Sequence, residues 1–361
     1  MEPTVNPDLP RREDVLQRMR EGGRRIIAVL PFHYPRALLR ACGFHPMEIW
    51  GPTKITANRD DHHFQEYACA IVRNATQFLQ TDLEGRVDAI LVPHTCDSLQ
   101  GMASVLQGFA RTAPVLTLYL PRGRRDSDHA FARAELGRLA GQLSAISGVA
   151  PTPAQLHAAI DAEDQAMKAS ADAAAQRRRF DVGDRTFFTL LRSREYLPPD
   201  MFMQAIARLP VREAPDPRPG IFLSGIVPEP MSLFDLLNDE GVIVVGDDLA
   251  CGSRRLYARC SHEDPLERLA MQMLSMAPEP TVSPPIGERN AHLLGRLRES
   301  GARGLIVYDV KFCEPEAFYL PLLVQAVKAA GMACLHVEVE LEEHLAEQVQ
   351  TRISAFLEIV R

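Results

Sequence analysis

The chain has 361 residues, 46% of them hydrophobic and 24% charged, a balance that excludes collagen, coiled coil and a disordered chain. The length exceeds what one core usually serves, so two α/β domains are expected. A net charge of −7 gives no basic field for tracking phosphates, and nucleic acid is not expected as a partner.

Residues 1–24 are rich in charge and read as a helical lead-in. RIIAVL (25–30) is a short apolar run closed by a proline, and Pro35 then opens a short helix that Gly43 ends, giving a β-then-α unit. MEIW (47–50) reads as a second strand, and FQEYACAIVRNATQFL (64–79) has helical apolar spacing. VDAILVP (87–93) is nearly continuous in apolar residues, as expected of a parallel strand covered on both faces. A helix over 98–110, a strand over 115–120 and a long helix over 126–147 follow, so residues 25–150 form an alternating first α/β domain. No apolar run approaches the roughly 20 residues that cross a bilayer, and the opening residues lack an apolar signal-type stretch; a cytoplasmic protein without a membrane partner is expected.

Over 151–216 the strands give way to an Ala-rich and charge-rich connector of two or three helices, with a break at Pro198. EAPDPRPG (213–220) carries three prolines and marks the boundary. Strand candidates return at 221–225, 241–248, 304–309 and 333–340, and a last helix is expected over 345–360; residues 217–361 form the second α/β domain. The economical architecture is two Rossmann-like, doubly wound parallel sheets flanking a helical piece.

The chemistry is harder to find. No GxxxxGK[ST], no GxGxxG after a strand, no GxSxG and no HExxH occurs, which disfavours P-loop, dinucleotide-binding and common hydrolase readings. Seven cysteines remain, read as thiols or metal ligands rather than as a disulfide framework. VDAILVPHTCD (87–97) and RGLIVYDVKFCE (303–314) both run strand, short loop, Cys, acid, helix. Ligands in open α/β sheets collect beyond the carboxyl ends of strands, so Cys96 and Cys313 are candidates for one shared cleft. Their spacing resembles no zinc knuckle or ferredoxin loop, and burial as a small hydrophobe stays open for each. Cys69 falls in a helix-like stretch and carries less weight.

Seven segments then resemble, in order, a subunit of the 2-hydroxyacyl-CoA dehydratase and benzoyl-CoA reductase family, of the 2-hydroxyglutaryl-CoA dehydratase D-component type: PRALLRACGFHPMEIWG (35–51), FQEYACAIVRN (64–74), VDAILVPHTCDSL (87–99), LPRGRRDSDHAFARAELGRLAGQLSAISG (120–148), GVIVVGDDLACGSR (241–254), GARGLIVYDVKFCEP (301–315) and QVQTRISAFLE (348–358). The resemblance implies an iron-sulfur enzyme with two Rossmann-like domains around a 4Fe-4S cluster, with Cys69, Cys96 and Cys313 as ligands and one iron left open. It implies an acyl-CoA substrate, dehydrated or reduced through a ketyl-type radical, a homologous second subunit, and an ATP-hydrolysing iron-sulfur activator. Two alternatives are a homodimeric small-molecule reductase with a double-cubane 8Fe cluster on about six thiols, and a non-catalytic relative that kept only the fold.

The remaining residues divide less sharply. Cys251, in DDLACGSR, could add a fourth ligand, but many relatives carry their thiol one place earlier, where this chain has Ala250. Cys260 reads as an ordinary thiol, and Cys42 and Cys334 as core residues. His33 and His94 could move a proton near the cleft, although a surface or hydrogen-bonded loop histidine is the simpler reading. Arg122, Arg124 and Arg125 could grip phosphates of coenzyme A, and Arg177, Arg178 and Arg179 less so; a solvated surface is favoured for both groups. Arg352 fits the family pattern without an assignable role.

Overall fold

A computed structural model describes residues 9–50, 64–81, 83–109 and 113–361. Its first half runs α1 (Arg12–Glu21), β1 (Arg25–Val29), α2 (Arg36–Ala41), β2 (Phe44–Glu48), α3 (Ala70–Thr81), β3 (Ala89–His94), α4 (Asp97–Phe109), β4 (Val115–Tyr119) and α5 (Asp126–Ser147). Residues 1–8 of the expected lead-in, and position 110 of the expected helix, lie outside the described residues. The second strand differs from expectation: it starts at Phe44, carries Pro46 within it and ends at Glu48, so Trp50 belongs to the loop beyond. Pro46 is tolerated because β2 is an edge strand, paired only with β1.

The connector holds α6 (Pro153–Ala175), α7 (Asp184–Arg192) and α8 (Pro199–Ala207). Thr152 caps α6 in a reciprocal box with Gln155, and Pro198 and Pro199 set the start of α8. The second half runs β5 (Gly220–Gly225), α9 (Ser232–Asp239), β6 (Ile243–Leu249), α10 (Pro265–Leu274), α11 (Ile286–Ser300), β7 (Gly304–Val310), α12 (Glu314–Ala329), β8 (Ala333–Val339) and α13 (Glu347–Val360).

Both sheets are parallel and have the same order, β2-β1-β3-β4 and β6-β5-β7-β8. Side chains alternate across them as the pleat requires. Ile27, Val29, Ala89, Leu91, Leu116 and Leu118 enter one core with α2 and α5, whereas Ile26, Ala28, Leu30, Ile90 and Val92 enter another with α3 and α4. In the second sheet Ile221, Leu223, Ile306, Tyr308 and Val310 face α7, α9 and α13, and Phe222, Leu305 and Val307 face α11 and α12. Two features tie the halves together. Leu269, Ala270, Met273 and Leu274 of α10 pack into the core of the first half, and Phe32, Trp50, Cys69 and Ile71 join the main core of the second.

Candidate functional site: three thiols at one cavity

In each sheet the strand order reverses at the first strand, β1 or β5, and the crevice between it and its third-strand neighbour is where an open α/β sheet receives ligands. Cys96 follows β3 and Cys313 follows β7, so they hold corresponding places in the two halves. Cys69 is not inside a helix as its spacing suggested; it stands immediately before α3, which begins at Ala70. Each of the three cysteines therefore directly precedes the first residue of a helix: α3, α4 or α12.

All three line one cavity of about 50 Å³ between the halves, walled by Phe32, Trp50, Leu99, Ile226, Ala250 and Pro315 among others. Backbone N–H groups at the helix starts lie against the sulfurs, Ile71 and Val72 at Cys69, Ser98 and Leu99 at Cys96, and Glu316 at Cys313, with the Val72 N–H also donating to the Cys69 carbonyl at 3.0 Å. Three helix N-termini thus converge on one small apolar space, an arrangement that favours negative charge there. The Cys313 thiol donates to Cys69, which lowers the Cys69 pKa against the effect of burial and raises that of Cys313. Burial pushes the half-buried Cys96 thiol up to about 12, with the N–H groups of Leu99 and Ser98 acting in the other direction. The hydroxyl of Thr95, also on the cavity wall, is buried without a hydrogen-bond partner.

Among the described residues, no three His, Cys, Asp or Glu side chains come together as a group able to hold a metal ion. The thiols ring the cavity instead. Soft sulfur donors of this kind suit iron and zinc, and two of the three, Cys69 and Cys313, are in hydrogen-bond contact.

The loops presenting these residues hold unusual backbone. Phe32 (φ 125°) and His33 (φ 60°), after β1, and Phe312 (φ 65°), before Cys313, are non-glycine residues at positive φ. Such conformations cost about 1–3 kcal/mol each and cluster at functional loops. Sequence patterns carry no sign of them.

The other thiols are elsewhere. Ala250, not Cys251, lines the cavity; Cys251 is buried, its pKa pushed up to about 12 by burial, beside the charges of Arg192 and Glu195. Cys42 lies in the core of the first half, Cys334 packs at the edge of the core under α11 and α12, and the Cys260 thiol donates to the Ala258 carbonyl at 3.6 Å.

Several of the basic residues make contacts within the chain. Arg177 is not solvated: it is 2% exposed and forks onto Asp184 at 2.7 and 3.0 Å. Arg178 donates to the carbonyls of Asp216 and Arg218. Arg125 is exposed and boxes the start of α5 with Asp128, while Arg124 reaches the Met276 carbonyl at 3.2 Å. Arg352 donates to the His336 carbonyl at 2.7 Å, pinning α13 to β8.

Sequence reasoning missed the polar frame. Glu48, fully buried at the end of β2, accepts hydrogen bonds from Tyr34 (2.8 Å), Trp50 (2.9 Å), Arg36 and Arg255. Asp248 at the end of β6 takes Arg254 and Arg289, and Arg254 continues to Glu316 in the first turn of α12. No periodicity announces such contacts between residues up to 207 positions apart. The only cue was a buried-strand pattern ending in an acid.

Among the described residues, no helix is long and apolar enough to cross a membrane. Comparison with known proteins finds relatives along nearly the whole chain. The chain is 26% identical over 94% of its length to the lactoyl-CoA dehydratase subunit beta of Anaerotignum propionicum, covering 93% of that protein. It is 24% identical to the (R)-phenyllactyl-CoA dehydratase beta subunit of Clostridium sporogenes, covering 95% of this chain and 94% of the relative. A benzoyl-CoA reductase subunit of Thauera aromatica is 24% identical over 84% of this chain and 82% of its own. Residues 31–360 match the family described as 2-hydroxyglutaryl-CoA dehydratase, D-component, and by that match over nearly all its length the chain belongs to this family.

Proposed function

We propose that the chain holds a 4Fe-4S cluster on Cys69, Cys96 and Cys313 and acts as a subunit of an acyl-CoA dehydratase or reductase. The observation that carries this reading is the meeting of three thiols, each at a helix N-terminus, on one apolar cavity at the switch points of both sheets. The names of the relatives, beta subunits of dehydratases and a subunit of a benzoyl-CoA reductase, favour a homologous second subunit and an acyl-CoA substrate. An ATP-hydrolysing iron-sulfur activator is part of the proposal as the source of electrons.

Bound there, a three-thiolate cluster would supply single-electron exchange and one open iron that takes a thioester oxygen. The chain's own residues have separate tasks. The N–H groups of Ile71, Val72, Ser98, Leu99 and Glu316 stabilise the charge on the sulfurs. Phe32, Trp50 and Leu99 keep water from the cavity. Ala250 offers no donor atom to its side of the cavity.

Iron and sulfide analysis of anaerobically purified protein tests the reading. About four irons per chain are expected, lost for the most part in Cys96→Ser and Cys313→Ser and retained in Cys42→Ser and Cys251→Ser. Equal iron in all four variants would remove the ligand assignment, about eight irons per chain would point to the double-cubane alternative, and a colourless protein after reconstitution would favour the non-catalytic one.

A further inference from the structure

His33 is 1% exposed and sits between two cavities. On one side Phe32, stacked on its ring at 4.0 Å between centroids, forms part of the thiol cavity wall. On the other, His33 itself lines a polar cavity of about 40 Å³ together with Arg36, Glu163, Arg194, Tyr257 and Gln272. A cavity of that size accommodates water.

The imidazole is hydrogen-bonded at Nδ1, and its Nε2 faces a carboxylate without a hydrogen bond. Nδ1 lies 2.7 Å from Tyr257 Oη. Nε2 lies 3.4 Å from Oε1 of the fully buried Glu279 and has no closer partner. Glu279 in turn accepts from the Thr281 hydroxyl and, at 3.2 Å, from the Thr281 amide, and Thr281 lines the thiol cavity. Tyr257, His33, Glu279 and Thr281 therefore stand in file between the two cavities, hydrogen-bonded at Tyr257–His33 and Thr281–Glu279, with a 3.4 Å charge contact from His33 Nε2 to Glu279 between them.

We propose that this line carries protons to and from the occupant of the thiol cavity. Its catalytic use rests on the function proposed above; its geometry does not. Burial alone would raise the Glu279 carboxyl, but His33, Arg254 and Thr281 hold it below its usual range, so Glu279 is a carboxylate. A carboxylate facing Nε2 fixes the proton on that nitrogen, and Nδ1 accepts from Tyr257, which burial keeps protonated with a pKa of about 12. Other charges face the line as well: Arg254 beside Glu279, and Arg255, Arg194 and Arg36 beside Tyr257.

Delivery shifts each proton by one place. Tyr257 O–H gives its proton to Nδ1, Nε2–H to Glu279, and Glu279 to Thr281 Oγ, whose own hydroxyl proton passes to the acceptor in the cavity. A solvent proton entering through that cavity restores the Tyr257 hydroxyl and leaves His33 as its Nδ1–H tautomer, which passage of a proton in the reverse direction resets. One proton crosses and no electron moves. Removal of a proton from the cavity runs the same steps backwards.

Nitrogen-15 NMR of histidine-labelled, metal-free protein reads the tautomer directly, with His33 assigned by the signal missing in His33→Gln. An Nε2–H tautomer is expected in the unsubstituted protein, with the preference lost in Glu279→Gln and in Tyr257→Phe. An Nδ1–H tautomer, or one indifferent to both substitutions, would overturn the inference. Tyr257→Phe serves if Glu279→Gln does not fold. In the reconstituted complex, Glu279→Gln should retain its iron while turnover falls on the order of a hundredfold, with an altered solvent isotope effect and pH profile; unchanged turnover at full iron content would also overturn it. Absence of iron from the unsubstituted protein, with the tautomer as expected, would strike at the cluster proposal and leave the His33 geometry standing.

Discussion

Cys96 and Cys313 were legible because a strand, a short loop and an acid after the sulfur mark the carboxyl end of a parallel strand and the start of a helix. Cys69 carried no such cue. Its helix begins one residue later with Ala-Ile-Val, and only resemblance to the family raised it. His33, Glu279 and Thr281 were harder still, since their partnership spans 246 residues and depends on positive φ in the β1 loop. The state of the thiols leads to a pH prediction. Cys96 and Cys313 hold their protons more tightly than free cysteine, and metal loading must release them. Loading should therefore rise with pH between about 7 and 9, measured as iron bound after anaerobic reconstitution. The metal-free fold should behave oppositely: a thiol raised in the folded state contributes stability that is present below its unfolded pKa and lost as pH climbs through its folded value, here from 9.0 towards about 12 for Cys96. Chemical denaturation of metal-free protein across that range should find a smaller loss in Cys96→Ser.

At the level of elements, most strands and the helices α5 and α13 followed from apolar spacing and end signals, whereas composition showed the connector only as two or three helices without bounds for α6. The helices α9 to α12 were expected only as helical or loop sequence: α9 and α10 are short, α11 is rich in polar residues, and Pro321 interrupts the pattern of α12. The site depends on where elements stop. Gly225, the last residue of β5, has φ 148°, and a Cβ there would meet the Tyr308 carbonyl oxygen at 2.0 Å. That contact lets β5 run against β7 at the switch point. Gly225→Ala should destabilise the fold by about 1–3 kcal/mol, seen as a lower thermal midpoint, and should lower iron content, because β7 presents Cys313. A midpoint equal to that of the unsubstituted protein would contradict the close approach.

For the whole molecule, the sequence indicated two α/β units and a helical connector but not how they interlock. Distant contacts do that. Glu48 in the first half accepts from Arg255 in the second, and Glu163 on α6 pairs with Arg40 at 2.6 Å and Arg194 at 3.3 Å. Burial would raise the Glu163 carboxyl, but Arg40, Arg194 and Arg36 pull it down to about 2. It contributes stability above its unfolded pKa near 4.5, lost as pH falls towards about 2. Removing one partner of such a buried pair costs about 3–5 kcal/mol. Glu48→Gln should accordingly lower the thermal midpoint of metal-free protein and speed cleavage by a protease within the loops around 250–260, whereas a distant surface change such as Lys168→Ala should do neither.

Because each half contributes its own sulfur and Cys69 stands at their seam, the centre proposed above would form only with both lobes in place. On that proposal the contacts that join the lobes, Glu48 with Arg255 among them, would also assemble the sulfur site.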